Sequence, residues 1–323
     1  MRFLVAAVPV WLLVLGIFLW LRRQHPTAKI GPATAITLFR GLLLGAIAGC
    51  LPLPPLGWVA WAPGILYTTA ALCDLFDGYV ARRLDQVTAL GARLDVALDA
   101  LGLLVAPLAA VLLGRLPPFY LLLGAVYYLF QGGLWLRRRR GLALHPERLR
   151  PTPHARLYAG YQMGLVATAL FPLLGPPGTT ITAALFMVPT LLLFAREWLL
   201  VTGRLDPEAG RAALSAARAL LGLTLPVVRA IAAALLVLLV VDGRLPPLLL
   251  GAAALLAAGV LTRLVAFAAS VALARMLPGG EALPLVAYFA TMALLLAGGG
   301  RAVLWNPEDR WLFTRAGPGR ATG

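Results

Sequence analysis

Apolar stretches of about 17–25 residues recur along almost the whole chain, each long enough to cross a bilayer as a helix. They predict membrane helices over residues 3–21, 36–53, 57–76, 88–113, 117–136, 157–175, 178–202, 221–241, 246–262, 263–278 and 284–300. The runs are rich in Leu, Ala and Val and do not alternate. They therefore read as helices that satisfy their own backbone in lipid, and not as barrel strands. Composition agrees, since 61% of the 323 residues are hydrophobic, above the ordinary soluble share. The prediction is an all-α polytopic membrane protein. The first run ends in Arg22-Arg23 without a small-residue cleavage site, so it reads as a retained helix and not as a signal peptide.

Charge refines this picture. The formal net charge of +15 comes from 27 Arg and a single Lys, Lys29. These cations sit in short joints between apolar runs, which is a topological pattern and not a nucleic-acid footprint. Alternate threading collects Arg22, Arg23, Lys29, Arg82, Arg83, Arg137 to Arg140, Arg204, Arg211, Arg218, Arg263 and Arg301 to Arg320 on one side. The other side keeps little beyond Arg115, Arg244 and Arg275. The rule that positive loops stay inside makes the first side cytoplasmic, with the N-terminus outside and the C-terminus inside. Cys50 and Cys73 lie in apolar segments without metal-ligand spacing, and His25, His145 and His154 are scattered. Neither set suggests a disulfide framework or a ligand group.

Two polar joints organise the chain. One is the basic, Pro-containing segment 137–156, and the other is the Gly/Pro-containing, charged segment 203–218. The second places a boundary near residue 210. The expected divisions are an N-terminal helix and basic linker over 1–30, a central domain over 31–205, and a C-terminal helical domain with a basic tail over 210–323.

The candidate chemistry falls in one window, Asp74-x2-Asp77-Gly78-x2-Ala81-Arg82-x8-Gly91-x3-Asp95-x3-Asp99. Five of the thirteen acidic residues lie there, counting Asp85. A carboxylate at a membrane helix centre costs about 2.5–3.5 kcal/mol on insertion scales, so four in helical register need a compensating charge. Asp74 and Asp77 share a helix face, as do Asp95 and Asp99. A short turn with Arg82, Arg83 and Asp85 would bring the two pairs together between antiparallel helices. Their hard oxygens suit Mg²⁺ or Mn²⁺, and two such ions would clamp a diphosphate. Gly78 and Gly91 permit close backbone approach, Ala81 keeps the face small, and Arg82 offers a planar fork for phosphate oxygens. One Asp not fully committed to metal could accept the proton of an attacking hydroxyl, and spacing does not choose between Asp95 and Asp99.

At every fixed position the window resembles the signature of the CDP-alcohol phosphotransferase (phosphatidyltransferase) family. Ile36-Thr37-Leu38-Phe39-Arg40 is similar to the Leu-Thr-x-x-Arg that opens the family's first core helix, although the usual preceding Asn is replaced by Thr34-Ala35. The resemblance covers residues 30–205 and implies a six-helix core, here with an extra N-terminal helix and a C-terminal bundle of about four helices. It implies transfer of a phosphoalcohol, with CDP-diacylglycerol as donor, to the hydroxyl of a polyol or polyol phosphate, releasing CMP. Carried over by position, Asp74, Asp77, Asp95 and Asp99 would hold two metal ions, with Asp99 also the general base. Gly78, Ala81, Arg82 and Gly91 would line the cytidine diphosphate site. A homodimer in the cell membrane with its active site facing the cytoplasm is also implied.

Arg156, which opens the helix after the basic loop and is followed by Tyr158 and Gln162, and Arg196, beside Glu197 and Trp198 near the end of the next helix, could each bind an anionic acceptor or serve as a positive-inside anchor. The Gly-Lys-x-Lys-Thr of phosphatidylglycerophosphate synthases is not reproduced. In the tail, Gly259-Val260-Leu261-Thr262-Arg263-Leu264 and Gly298-Gly299-Gly300-Arg301 are similar to parts of the DoxX-like membrane family. A packing or partner-binding role is expected there. Trp305, Trp311 and Phe313, with Arg310 and Arg315, suggest an interfacial segment. The competing readings are a transporter that couples cations through its carboxylates, and a scaffold that keeps the fold without activity. Transporter sites usually lie near the midplane on broken helices, often within internal repeats. Here the acids mark a helix end, and no repeat of fixed period is present.

Overall fold

The computed structural model describes residues 1–27, 30–83, 88–149, 153–206 and 211–308. For Leu75, 77–82, 153–154 and 211–218 it describes the backbone alone. The described residues form eleven α-helices and no β-strand. They are α1 (Arg2–Gln24), α2 (Pro32–Cys50), α3 (Ala62–Arg83), α4 (Ala89–Leu112), α5 (Leu122–Arg139), α6 (Pro153–Leu170), α7 (Gly178–Val201), α8 (Arg211–Val241), α9 (Leu249–Ala258), α10 (Thr262–Ala274) and α11 (Ala282–Ala297). Each apolar run of the sequence has become one helix. Among the described residues, six helical stretches are long and apolar enough to cross a membrane: Arg2–Gln24, Pro32–Cys50, Ala89–Leu112, Pro118–Arg139, Gly178–Val201 and Ala219–Val241.

The helix ends differ from expectation in two places that matter. The third helix does not stop near residue 76 but continues to Arg83, so Arg82 and Arg83 belong to its last turn and not to a connecting turn. Gly78 alone costs only about 1 kcal/mol in a helix interior, too little to end one. The eighth helix begins at Arg211, ten residues before its apolar run. Lys29, Asp85, Arg310, Trp311, Phe313 and Arg315 lie outside the described residues.

By packing, the chain forms two compact units: residues 1–125 with 161–183, and residues 126–160 with 184–323. In the first unit α2 is the hub, packed against α1, α3 and α4. Gly41, Gly45 and Gly49 repeat at every fourth position along it. A β-carbon on them would stand 2.7 Å from Val14, 2.1 Å from Trp11 and 2.6 Å from Phe3, respectively. This small-residue stripe lets α1 lie close against α2, as in membrane helix pairs generally. The Trp11 indole N–H donates to the Leu42 carbonyl at 2.9 Å and fixes the register. Along α4, Leu90, Leu94, Leu98, Leu101 and Val105 form a buried stripe at helical spacing. Asp95 and Asp99 each sit one residue past that stripe, on its flank.

At the far end of α4, Arg115 ties the unit together. Its guanidinium donates to the carbonyls of Leu170 and Ala60, and its own carbonyl accepts from the Thr179 hydroxyl. In the second unit α8 packs on α9 and α11, and α10 packs on α9 and α11. Phe130 meets Phe194 at a tilt and Trp198 edge to face, and Trp198 fills the space a β-carbon at Gly133 would need.

Candidate active site

Three helices of the first unit meet at one cluster of charge. Asp74 of α3 and Asp95 and Asp99 of α4 each offer a carboxylate oxygen, and these oxygens lie within 4.8 Å of one another. Helical register explains the α4 pair, since residues four apart share a face. The start of α4 is fixed by a cap: the Thr88 hydroxyl accepts from the Gly91 amide at 3.0 Å. A β-carbon at Gly91 would stand 3.2 Å from that hydroxyl and 3.7 Å from the hydroxyl of Thr34 on α2. Glycine thus keeps the first turns of α2 and α4 close, one helical turn before Asp95.

Arg40 of α2 is the group at the centre. Its side chain is only 5% exposed, and it reaches all three aspartates. Nη1 donates to Asp74 and, at 2.9 Å, to Asp95, while Nη2 donates to Asp99. Asp74, Asp95 and Asp99 are 29%, 39% and 56% exposed, so the cluster opens outward through Asp99. A buried guanidinium supplies the compensation that grouped carboxylates require. Sequence reasoning gave Arg40 no role. Two signals were available: its place at the end of Ile36-Thr37-Leu38-Phe39-Arg40, and a permanent cation inside an apolar run, where it is costly unless paired.

Three carboxylates against one guanidinium leave two negative charges. That balance, together with an all-oxygen donor set, fits a hard divalent cation. Asp74, Asp95 and Asp99 would hold it. Asp77, Gly78, Ala81 and Arg82 lie on α3 within two or so turns of Asp74, and their side chains are outside the described residues.

Gln162 is buried and accepts a hydrogen bond from the Tyr120 hydroxyl through Oε1, which gives it a packing role. Arg156 is exposed, and Trp198 is occupied by its aromatic neighbours.

The arrangement of a helix-borne aspartate cluster within a helical membrane core agrees with comparison against known proteins. The model of the CDP-alcohol phosphatidyltransferase family matches residues 32–202, which run from α2 to the end of α7. The chain belongs to this family of transferases. Curated relatives include CDP-diacylglycerol–glycerol-3-phosphate 3-phosphatidyltransferases. The protein of that name from Salmonella choleraesuis (strain SC-B67) is 41% identical over 69 residues, which are 20% of this chain and 36% of the relative. That from Escherichia coli (strain K12) is 39% identical over 66 residues, again 20% and 36%. The chain thus spans about a third of the length of these relatives. No solved structure gives a significant match. Residues 203–323 lie outside the family match.

Proposed function

We propose that this protein transfers a phosphatidyl group from a CDP-linked lipid, CDP-diacylglycerol, to the hydroxyl of a small polyol or polyol phosphate, releasing CMP. The observation that carries the reading is the convergence of Asp74, Asp95 and Asp99, within 4.8 Å, inside the segment that matches the family. In the reaction the acceptor oxygen forms a bond to the lipid-linked phosphorus, the bond from that phosphorus to the CMP oxygen breaks, and the hydroxyl proton must leave.

Asp99 is the proton acceptor in this reading. It is the most exposed of the three carboxylates, so it can reach a substrate hydroxyl while Asp74 and Asp95 stay with the cluster. Two Mg²⁺ or Mn²⁺ ions held by Asp74, Asp77, Asp95 and Asp99 would neutralise the diphosphate and the departing CMP. Gly78, Ala81, Arg82 and Gly91 bound the cytidine diphosphate. Arg40 positions the carboxylates by donating to each.

The catalytic domain is assigned to 31–205, with 1–30 and 210–323 as flanking membrane segments. The active site faces the cytoplasm in a multi-pass cell membrane protein, and the chain works as a homodimer. Incubating purified protein with CDP-diacylglycerol and a panel of polyols and polyol phosphates, then identifying the lipid product by mass spectrometry, tests the reading. CMP release coupled to one new phospholipid is the expected result. Cation-dependent uptake into proteoliposomes without CMP formation would replace the transferase with a transporter.

A further inference from the structure

The two tail segments that stood out in the sequence, 259–264 and 298–301, come together in the second unit. Helix α9 ends at Gly259 (φ +69°), and α10 starts after Leu261, the one described non-glycine residue with positive φ (+48°). Residues 304–305 run beside this break. Leu304 and Trp305 amides donate to the Ala258 and Gly259 carbonyls, and the Leu261 amide donates to Trp305. Irregular backbone within a membrane bundle is tolerated where protein buries it or where it lines a cavity.

Arg229 of α8 projects into this break. It lies on the buried stripe of that helix, with Leu225, Ala232, Ala233, Leu236 and Leu239, and is 4% exposed. It is the eleventh residue of the 23-residue apolar stretch Ala219–Val241, close to mid-depth. A β-carbon at Gly259 would stand 2.1 Å from its Nη1 and 2.9 Å from the Val303 Cα, so the guanidinium is wedged against the break. Nε and Nη1 are buried with no hydrogen-bond partner among the described residues. The neighbouring Arg263 is different, because its Nη1 donates to the Leu295 and Leu296 carbonyls at the end of α11.

Two further side chains beside the break hold open valences. Asn306 Oδ1 accepts from the Thr262 amide (3.0 Å) and hydroxyl (3.1 Å), which fixes the amide orientation and leaves Nδ2 as a buried donor without a partner among the described residues. Glu308 Oε1 accepts from the Arg263 amide at 3.2 Å, and its Oε2 is buried and unpartnered among the described residues. Buried polar atoms are nearly always paired, so this concentration calls for a ligand. The open set comprises three donor atoms on Arg229 and Asn306, one of the two residues cationic, and one carboxylate acceptor. A protonated phosphate offers what they lack: several oxygens to accept and one P–OH to donate. Sulfate lacks the P–OH.

We propose that the C-terminal bundle binds a phosphate monoanion or phosphomonoester at the α9–α10 break, anchored by Arg229. The site is separate from the aspartate cluster and does not depend on the transferase reading.

The test uses the full-length protein with EDTA present, so that the aspartate cluster contributes no cation. Equilibrium dialysis with ³²P-labelled inorganic phosphate reads free phosphate. Native mass spectrometry from nanodiscs doped with phosphatidic acid, against phosphatidylglycerol, reads a lipid phosphomonoester. Saturable phosphate binding is expected, weakened about tenfold or more by Arg229→Gln, partly kept by Arg229→Lys, and unchanged by Asp99→Asn. Sulfate should compete poorly. Retention of phosphatidic acid over phosphatidylglycerol, with the same dependence on Arg229, supports the site with a lipid as occupant. Should Arg229→Gln fail to fold, Asn306→Asp, which sets a carboxylate against the anion, must abolish binding. Absence of binding in both arms, or binding indifferent to Arg229→Gln or Asn306→Asp, overturns the proposal.

Discussion

Arg40 and Asp99 are the residues on which the proposed chemistry turns. Asp99 combines a bond to a guanidinium with the largest exposure in its cluster, as a group that must both be held and meet substrate requires. Asp99→Asn keeps the shape and removes the basic oxygen. It should lower CMP release about 10²–10⁴-fold with an unchanged gel-filtration profile, and turnover near wild type would exclude Asp99 as the base. Arg40→Gln leaves three carboxylates facing one another. Removing one partner of a fully buried pair costs about 3–5 kcal/mol, but these aspartates are partly exposed. We expect about 1–3 kcal/mol of destabilisation in EDTA, measured by thermal unfolding and largely recovered on adding Mg²⁺. The aspartates were legible in the sequence because i,i+3 and i,i+4 spacings define faces of a helix. The role of Arg40 was not, because it lies 34 residues before Asp74, and only tertiary packing brings the two together.

Helix against helix, the first unit relies on small residues. The glycine stripe of α2 receives Phe3, Trp11 and Val14 of α1, and the Trp11–Leu42 hydrogen bond exists only while the helices stay that close. Gly45→Val should force them apart, cost about 1–3 kcal/mol as overpacking does, and lower the melting temperature without altering metal dependence. Helix number and order were legible in hydropathy, since all eleven apolar runs became helices. Helix ends were less so. Hydropathy reports where lipid stops, whereas a helix continues for as long as its backbone bonds are made. The α3 helix therefore carries the motif through Arg83, and α8 starts among charged residues. The break between α9 and α10 was legible to within a few residues, since the expected helices meet at 262–263; its geometry was not, because it depends on Gly259, Leu261 and a chain segment more than 40 residues away.

For the whole molecule, chelation is the broadest test of the proposed reaction. EDTA should abolish phosphatidyl transfer, and Mg²⁺ or Mn²⁺ should restore it; undiminished turnover in excess chelator would remove metal from the mechanism. The family match from α2 to α7 leaves α1 and the four C-terminal helices as additions. Deleting neither the tail nor α1 is required to separate their roles, because Arg229 and the glycine stripe give single-residue handles on each.

Asp95 lies near the first turn of α4 and Arg115 just beyond its last. From Asp95 to the helix end at Leu112 there are 17 steps (112 − 95) at about 1.5 Å each, so the helix sets the two roughly 25 Å or more apart. One end of the unit is therefore gathered by mutually repelling acids around a cation, and the other by neutral carbonyls around Arg115. Stripping divalent ions should loosen these ends unequally. Amide deuterium uptake should rise at 34–40 and 88–99 while 113–116 and 170–179 keep their protection. In the proposed reaction the aspartate end of this unit would be the one that opens to a bulky lipid nucleotide, with the Arg115 end as its hinge.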